Sequence, residues 1–402
     1  MLNFNLPQKD QIKNLLLWIT TIGQASIALY LPSLPIIAKD LAASETEVLQ
    51  TITVFIIGFG ISPILYGPMS DRYGRKPILI SSLTIALLGY LININANSLL
   101  IFNIARTLQG LGCGGILVSG RSIIRDVFSG RELASASSYL SMGYAVGFGL
   151  SPSLGGIITH YLGWKFNFVF LLVITLIIIS FVIFLLPETI KKKHHHPQLI
   201  LFIQQSIDDY CGISCNLIFL RYLIGGLFAY SVVMAYNVMT PFLMQQIFLL
   251  SPTEYGYLAI CIGVPYYLAA SINRTLVLKF GLAPMLRLGF IIIICSGVLI
   301  LFLNIFFIPK IIFCIIPMML ATFGQALIFS NTISGALQEF PSALGGKASA
   351  IFSSLQMLSV SIISGLMTLL PNHSPISLGL VIMALGFLTL IILLKPIRVS
   401  NR

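Results

Sequence analysis

Arg106 is the residue of this sequence best placed to do chemistry. It stands inside an apolar stretch, with Gln109 three and Cys113 seven positions further on, so a helix would carry all three on one polar stripe. A cation at that depth costs about 3 kcal/mol on insertion scales and normally faces a bundle interior or a water-filled cavity; the alternative is a side chain snorkelling to the outer interface. An acid is its usual partner. The twelve acids (Asp10, Asp40, Glu45, Glu47, Asp71, Asp126, Glu132, Glu188, Asp208, Asp209, Glu254 and Glu339) all fall in loops or at the ends of apolar spans. A buried cation with no internal partner is best tolerated when the ligand brings the negative charge, which favours an anionic or zwitterionic substrate.

Other reactive groupings are weaker. His194, His195 and His196 near Cys211 and Cys215 contain zinc-ligating residue types. Adjacent histidines point in different directions, however, so a solvated linker is the better reading. No metal or cofactor is expected. No nucleophile, base and acid come together within the spans, so a membrane-embedded enzyme is a remote alternative and the chain is not expected to be an enzyme. The six cysteines fall mostly inside apolar stretches, where they fill space.

The elements that must position Arg106 follow from composition. At 57% hydrophobic and 9% charged over 402 residues, with a mean hydropathy of +0.97, the chain cannot cover itself with a water-facing surface, which needs roughly a quarter of its residues charged. Apolar runs of about 20 residues recur, the length of a helix crossing ~30 Å of hydrocarbon. Stretches such as 170–186 and 290–307 are apolar on all sides, which excludes the alternation of a membrane barrel. The pattern predicts an all-α membrane protein with twelve spans near 14–38, 46–68, 77–96, 98–120, 133–158, 165–186, 219–246, 255–275, 285–307, 310–336, 345–370 and 376–394. No cleavable signal peptide is expected, because the first apolar stretch is too long.

A net charge of +11 raises the question of nucleic acid, but the basic residues are distributed over connecting segments and form no stripe. With loops assigned alternately to two sides, one side carries Arg72, Arg75, Lys76, Arg121, Arg125, Lys191, Lys192, Lys193, Lys279, Arg287 and most of the rest. The other carries Lys39, Lys165 and Lys310. The positive-inside rule then places both termini in the cytoplasm and leaves no nucleic-acid partner. The hydrophilic break between the sixth and seventh spans divides the chain into halves 1–187 and 219–402, joined by a cytoplasmic linker 188–218.

Each half has a break with basic residues after its second span, the mark of an internal repeat. The first reads Gly67-Pro68-Met69-Ser70-Asp71-Arg72-Tyr73-Gly74-Arg75-Lys76-Pro77, and it resembles the loop motif of the major facilitator superfamily. The corresponding stretch 279–287 resembles a degraded copy. Arg106-Thr107-Leu108-Gln109-Gly110-Leu111-Gly112 is similar to the family's fourth-span motif. Gly147-Phe148-Gly149-Leu150-Ser151-Pro152-Ser153-Leu154-Gly155-Gly156 is similar to its exporter-associated fifth-span motif, with Ser151 in place of one glycine. Tyr30-Leu31-Pro32-Ser33-Leu34-Pro35 and Pro187-Glu188-Thr189 narrow the resemblance to the Bcr/CflA drug-resistance branch.

The resemblance implies twelve helices in two pseudo-symmetric six-helix halves, in a bacterial inner membrane, exporting drugs or small molecules by alternating access. It implies a central cavity lined by Gln24, Tyr30, Arg106, Gln109, Tyr230, Tyr236, Asn237, Gln325 and Asn331, and a conformational latch made of Gly67, Asp71, Arg72, Gly74, Arg75 and Lys76. In that latch Asp71 would face the start of the eleventh span near Gly345 and Gly346. It also implies a gate helix bent at Pro152 between Gly147 and Ser151 on one side and Gly155 and Gly156 on the other. A monomer is expected, with protons as the implied coupling ion. One departure bears on coupling: the branch usually has an acid two positions before the first-span tyrosine, and here that position is Ala28. A carrier of an anionic metabolite, such as a carboxylate siderophore, is the second reading.

Overall fold

The computed structural model describes residues 6–128, 130–190, 208–340, 344–370 and 374–394, and among these every regular element is helical. In chain order they are α1 Leu6–Ala28, a 3-10 turn Leu31–Ser33, α2 Leu34–Asp40, α3 Glu45–Tyr73, α4 Arg75–Ile94, α5 Leu99–Val127, α6 Gly130–Gly149, α7 Ser151–Leu162 and α8 Lys165–Leu185. A short helix α9 over 208–214 follows. Then come α10 Leu217–Phe242 with a π turn Leu243–Ile247, α11 Pro252–Phe280, α12 Leu282–Phe306, α13 Ile311–Leu337, α14 Gly345–Met367 and α15 Pro375–Leu394. Ten helical stretches are long and apolar enough to cross a membrane. With the α6–α7 pair and the shorter apolar window of α15, the described helices make the twelve rods expected. The chain is a multi-pass membrane protein. His194 to His196, Pro197 and His373 lie outside the described residues.

Local chemistry sets the ends. Ser44 caps α3, accepting from the Glu47 amide at 3.3 Å while Glu47 accepts from the Ser44 amide at 2.9 Å, a complete capping box. Asn216 caps α10 through the amides of Ile218 and Phe219. The first span is not one rod: Pro32 and Pro35 break it into α1, the turn and α2. The second span runs five residues past the expected end, so Met69 to Tyr73 continue α3 and the loop read from sequence shrinks to Gly74. Gly74 has φ +112°, a region that favours glycine, and this one residue turns the chain into α4.

The chain forms two compact units, Met1–Tyr210 with Ser251–Gly256, and Cys211–Leu250 with Tyr257–Arg402. Lipid gives helices no hydrophobic reason to associate, so close packing of small residues must hold each unit together. In the first unit α5 lies between α3 and α4. A Cβ on Gly58 would sit 2.6 Å from the Thr107 carbonyl, and one on Gly112 would sit 2.5 Å from the Ala86 amide nitrogen. Around the start of α5 the rings of Tyr30, Phe102, Trp164 and Phe168 form a cluster with centroids 5.7–6.4 Å apart. In the second unit Gly289 and Gly324 bring α12 against α13, and Gly297 and Gly386 bring α12 against α15.

Candidate functional site

The interior of the first unit is built around Arg106, which is 0% exposed. Its Nη1 donates to the Ser26 carbonyl at 3.0 Å and to Gln109 Oε1 at 2.6 Å. Its planar group lies between two aromatic faces, with Cζ 4.1 Å from the Tyr30 centroid and 4.3 Å from that of Phe55. Gln109 in turn donates to the Gly89 carbonyl at 3.0 Å. Tyr30 shares a hydrogen bond with Thr51 at 3.0 Å, and Tyr90 shares one with Ser26. Cys113 lies 3.8 Å from the Tyr90 hydroxyl. The polar stripe expected on α5 is therefore a knot joining α1, α3, α4 and α5. Nε and Nη2 of Arg106 are buried without a hydrogen-bond partner. Among the described residues the buried charged groups are Arg75 and Arg106, and no Asp or Glu is itself buried.

Of the residues assigned to a cavity, Tyr30, Arg106 and Gln109 are brought together, and all of the set except Tyr230 are buried. Gln24 sits apart from the knot, where α1 meets α6, with its Cβ 2.7 Å from where a Cβ of Gly147 would stand. In the second unit Asn331 and Asn273 exchange hydrogen bonds of 2.9 and 3.3 Å between α13 and α11. Asn331 also donates to the Leu327 carbonyl at 2.7 Å. Asn237 turns to Met234, and the Tyr230 ring lies tilted against Phe329 with centroids 6.1 Å apart. Gln325 and Tyr236 are buried on α13 and α10. Ser26, Phe55, Tyr90, Asn273 and the buried Gln356 are members of these interiors that sequence reasoning missed. For Asn273 a signal existed, since an amide inside an apolar span needs a partner.

The end of α3 carries the second cluster. Arg75 donates from Nη1 to Asp71 at 2.5 Å and to Ser70 at 3.1 Å, and from Nε to Asp126 on α5 at 2.8 Å. Asp71, expected to face the start of the eleventh span, thus has a partner one turn away. Glu188 accepts from the amides of Arg75 at 2.9 Å and Lys76 at 3.3 Å, capping α4 with a carboxylate where the helix dipole favours one. A Cβ on Gly74 would collide with that carboxylate. Lys76 reaches the Ile183 carbonyl at 2.7 Å, and Arg72 lies over the Tyr73 ring. The close of the sixth span, useful from sequence only as a family mark, thus packs against the start of α4 beside Arg75 and Lys76.

Gly67 leaves room for Tyr210 of α9, whose hydroxyl would lie 3.5 Å from a Cβ there. Burial first, then the charges of Asp71 and Asp209, pushes the Tyr210 phenol up to about 12. The unfolded phenol ionises near 10, so unfolding releases a proton between pH 10 and 12 and stability falls across that window as pH rises. Tyr210→Phe is expected to remove this alkaline loss and leave stability at pH 8 within ~1 kcal/mol of the parent, read as thermal unfolding midpoints at pH 8, 9 and 11.

The fifth span is divided at Leu150 into α6 and α7, with Pro152 in the first turn of α7. Gly147 meets the Thr21 carbonyl and the Gln24 Cβ, and Gly155 meets the Leu29 carbonyl, so both pieces press against the first span. Ser151 and Pro152 are buried. Gly156 lies against the Pro252 carbonyl, and Ser153 donates to the Gly256 carbonyl at 2.8 Å. Beyond them Thr159, Ser33 and Asn167 join in a buried hydrogen-bonded triangle of 2.6–2.9 Å. No group of three or more metal-ligating side chains occurs among the described residues.

The family model described as Major Facilitator Superfamily matches residues 16–364. Multidrug resistance protein D of Escherichia coli is 28% identical over 375 residues, covering 93% of this chain and 92% of the relative. The bicyclomycin resistance protein homolog of Haemophilus influenzae is 28% identical over 369 residues, covering 86% and 87%. Among solved structures, the xylose transporter XylE of E. coli superposes with a TM-score of 0.75 at 15% identity, covering 98% of this chain and 99% of that one, a likeness of fold.

Proposed function

We propose that this chain, which belongs to the major facilitator superfamily, exports drug-like small organic molecules across a bacterial inner membrane by alternating access. It is a secondary transporter with a small-molecule substrate, and its relatives over nearly the whole length carry drug-resistance names. The observation that carries the export reading is the fifth span: a helix broken at Leu150 whose glycines seat both halves against the first span, a construction that can bend without losing its contacts. Both termini in the cytoplasm, a monomeric state, the central cavity and the latch built on Asp71 belong to the same proposal.

Expression in a host deleted for its own pumps is expected to lower chloramphenicol accumulation several-fold, and Arg106→Ala to restore it. Unchanged accumulation with the protein present in the membrane overturns the reading. Proton coupling has no support from a buried acid: Ala28 is 1% exposed, and among the described residues no Asp or Glu is buried. Chloramphenicol transport in vesicles of purified protein should therefore change less than twofold when a pH gradient is imposed, and strong drive by that gradient would restore the proton.

A further inference from the structure

We propose that Arg106 presents a carboxylate-binding fork inside the first unit, so that the molecules this transporter carries best are monoanions bearing a carboxylate. The inference rests on the export reading and names the substrate class it leaves open.

A guanidinium has two ways to meet an anion, and the structure has already used one nitrogen. Nη1 is committed to Ser26 and Gln109. The two nitrogens left without partners are Nε and Nη2, which form the edge whose N–H bonds run parallel and match the two oxygens of a carboxylate. The neighbouring polar side chains each hold a hydrogen bond elsewhere. The Tyr30 hydroxyl is bonded to Thr51, the Ser26 hydroxyl to Tyr90 and to the Ile22 carbonyl, and the Gln109 amide nitrogen to Gly89. The rings of Tyr30 and Phe55 cover the two faces of the cation and leave its in-plane edge as the direction of approach for an anion.

A buried donor pair and an uncompensated charge are each unfavourable alone, and a single monoanion on this edge relieves both. One positive charge sets the preference at one negative charge. Parallel donors favour a flat two-oxygen group over a spherical halide. The flanking rings suit an aromatic or apolar body attached to that group.

The test uses the full-length protein purified in detergent, at constant ionic strength. Salicylate, benzoate and nalidixate are titrated while the thermal unfolding midpoint is followed, with salicylamide and benzamide as uncharged counterparts and sodium chloride as the halide arm. Saturable upward shifts are expected with the carboxylates and not with the amides or chloride. Arg106→Lys, which keeps the charge and loses the fork, should weaken the carboxylate response at least tenfold. Flat responses to all three carboxylates, equal shifts from the amides, or an equal shift from chloride each overturn the assignment. If the lysine variant does not fold, the wild-type comparison of carboxylate with amide decides alone. Chloramphenicol export that persists while the carboxylates stay silent sinks the fork and leaves the export reading standing; loss of export sinks the latter.

Discussion

Gly110→Val is expected to cost about 3 kcal/mol and to reduce the yield of monodisperse protein several-fold, the largest effect of any single change considered. A Cβ at residue 110 would run into the Phe55 carbonyl, in the interior of two packed helices where backbone, not a flexible side chain, is the obstacle. To make room, α3 must move away from α5. That displaces the Phe55 ring from the Arg106 guanidinium, 4.3 Å away, and loosens the knot that satisfies Nη1. Gly120→Ala is the control. Its Cβ would meet only the ends of Leu16 and Leu140, at 3.7 and 3.8 Å. The better helix propensity of alanine should then leave it neutral or stabilised by up to ~1 kcal/mol. The comparison is read as size-exclusion profile and unfolding midpoint. Equal behaviour of the two variants would show that close approach at Gly110 does not hold the unit together.

The second large effect belongs to Arg75. Its alanine variant leaves Asp71 and Asp126 facing one another without their shared cation and frees Ser70. Breaking a fully buried pair costs 3–5 kcal/mol. Here the acids are 43% and 23% exposed, so solvent takes up part of the loss and about 2 kcal/mol is the better expectation. Arg75→Lys cannot serve two carboxylates and a hydroxyl from one ammonium and should keep less than half of the stabilisation. Adding Asp126→Asn to Arg75→Ala should recover part of the loss, because it removes the like-charge contact. Unfolding midpoints of the parent, Arg75→Ala, Asp126→Asn and the double variant give the coupling, and a double variant no more stable than Arg75→Ala would refute the pairing.

How much of this was legible beforehand depends on the range of the interaction. Arg106 and Gln109 could be paired from sequence because they sit three positions apart on one helix, and the structure joins them by a hydrogen bond. The bend at Pro152 was legible for a similar reason, since a missing N–H acts locally, whereas Pro32 and Pro35 were read within one span that they divide. The partners Ser26, Phe55 and Tyr90 were not. They lie on other helices, and in spans that are apolar on every side no periodicity says which face meets which neighbour. The same limit hid Glu188 behind a family mark. Its target, the amides of Arg75 and Lys76, is 113 and 112 residues away and is backbone, which sequence does not distinguish. The extension of α3 through Asp71 was missed because prolines and charges at 68–72 read as a loop, whereas Gly74 alone makes the turn.

The carboxylate at residue 188 also sets an order of events during synthesis. Residue 75 leaves the ribosome long before residue 188, so the start of α4 must wait with its amides uncapped while four more helices are threaded into the bilayer. Chains truncated before residue 188 are therefore expected to be cut by protease at the start of α4 more readily than chains truncated beyond it. The start of α4 is thus completed only by the segment that follows the half to which it belongs.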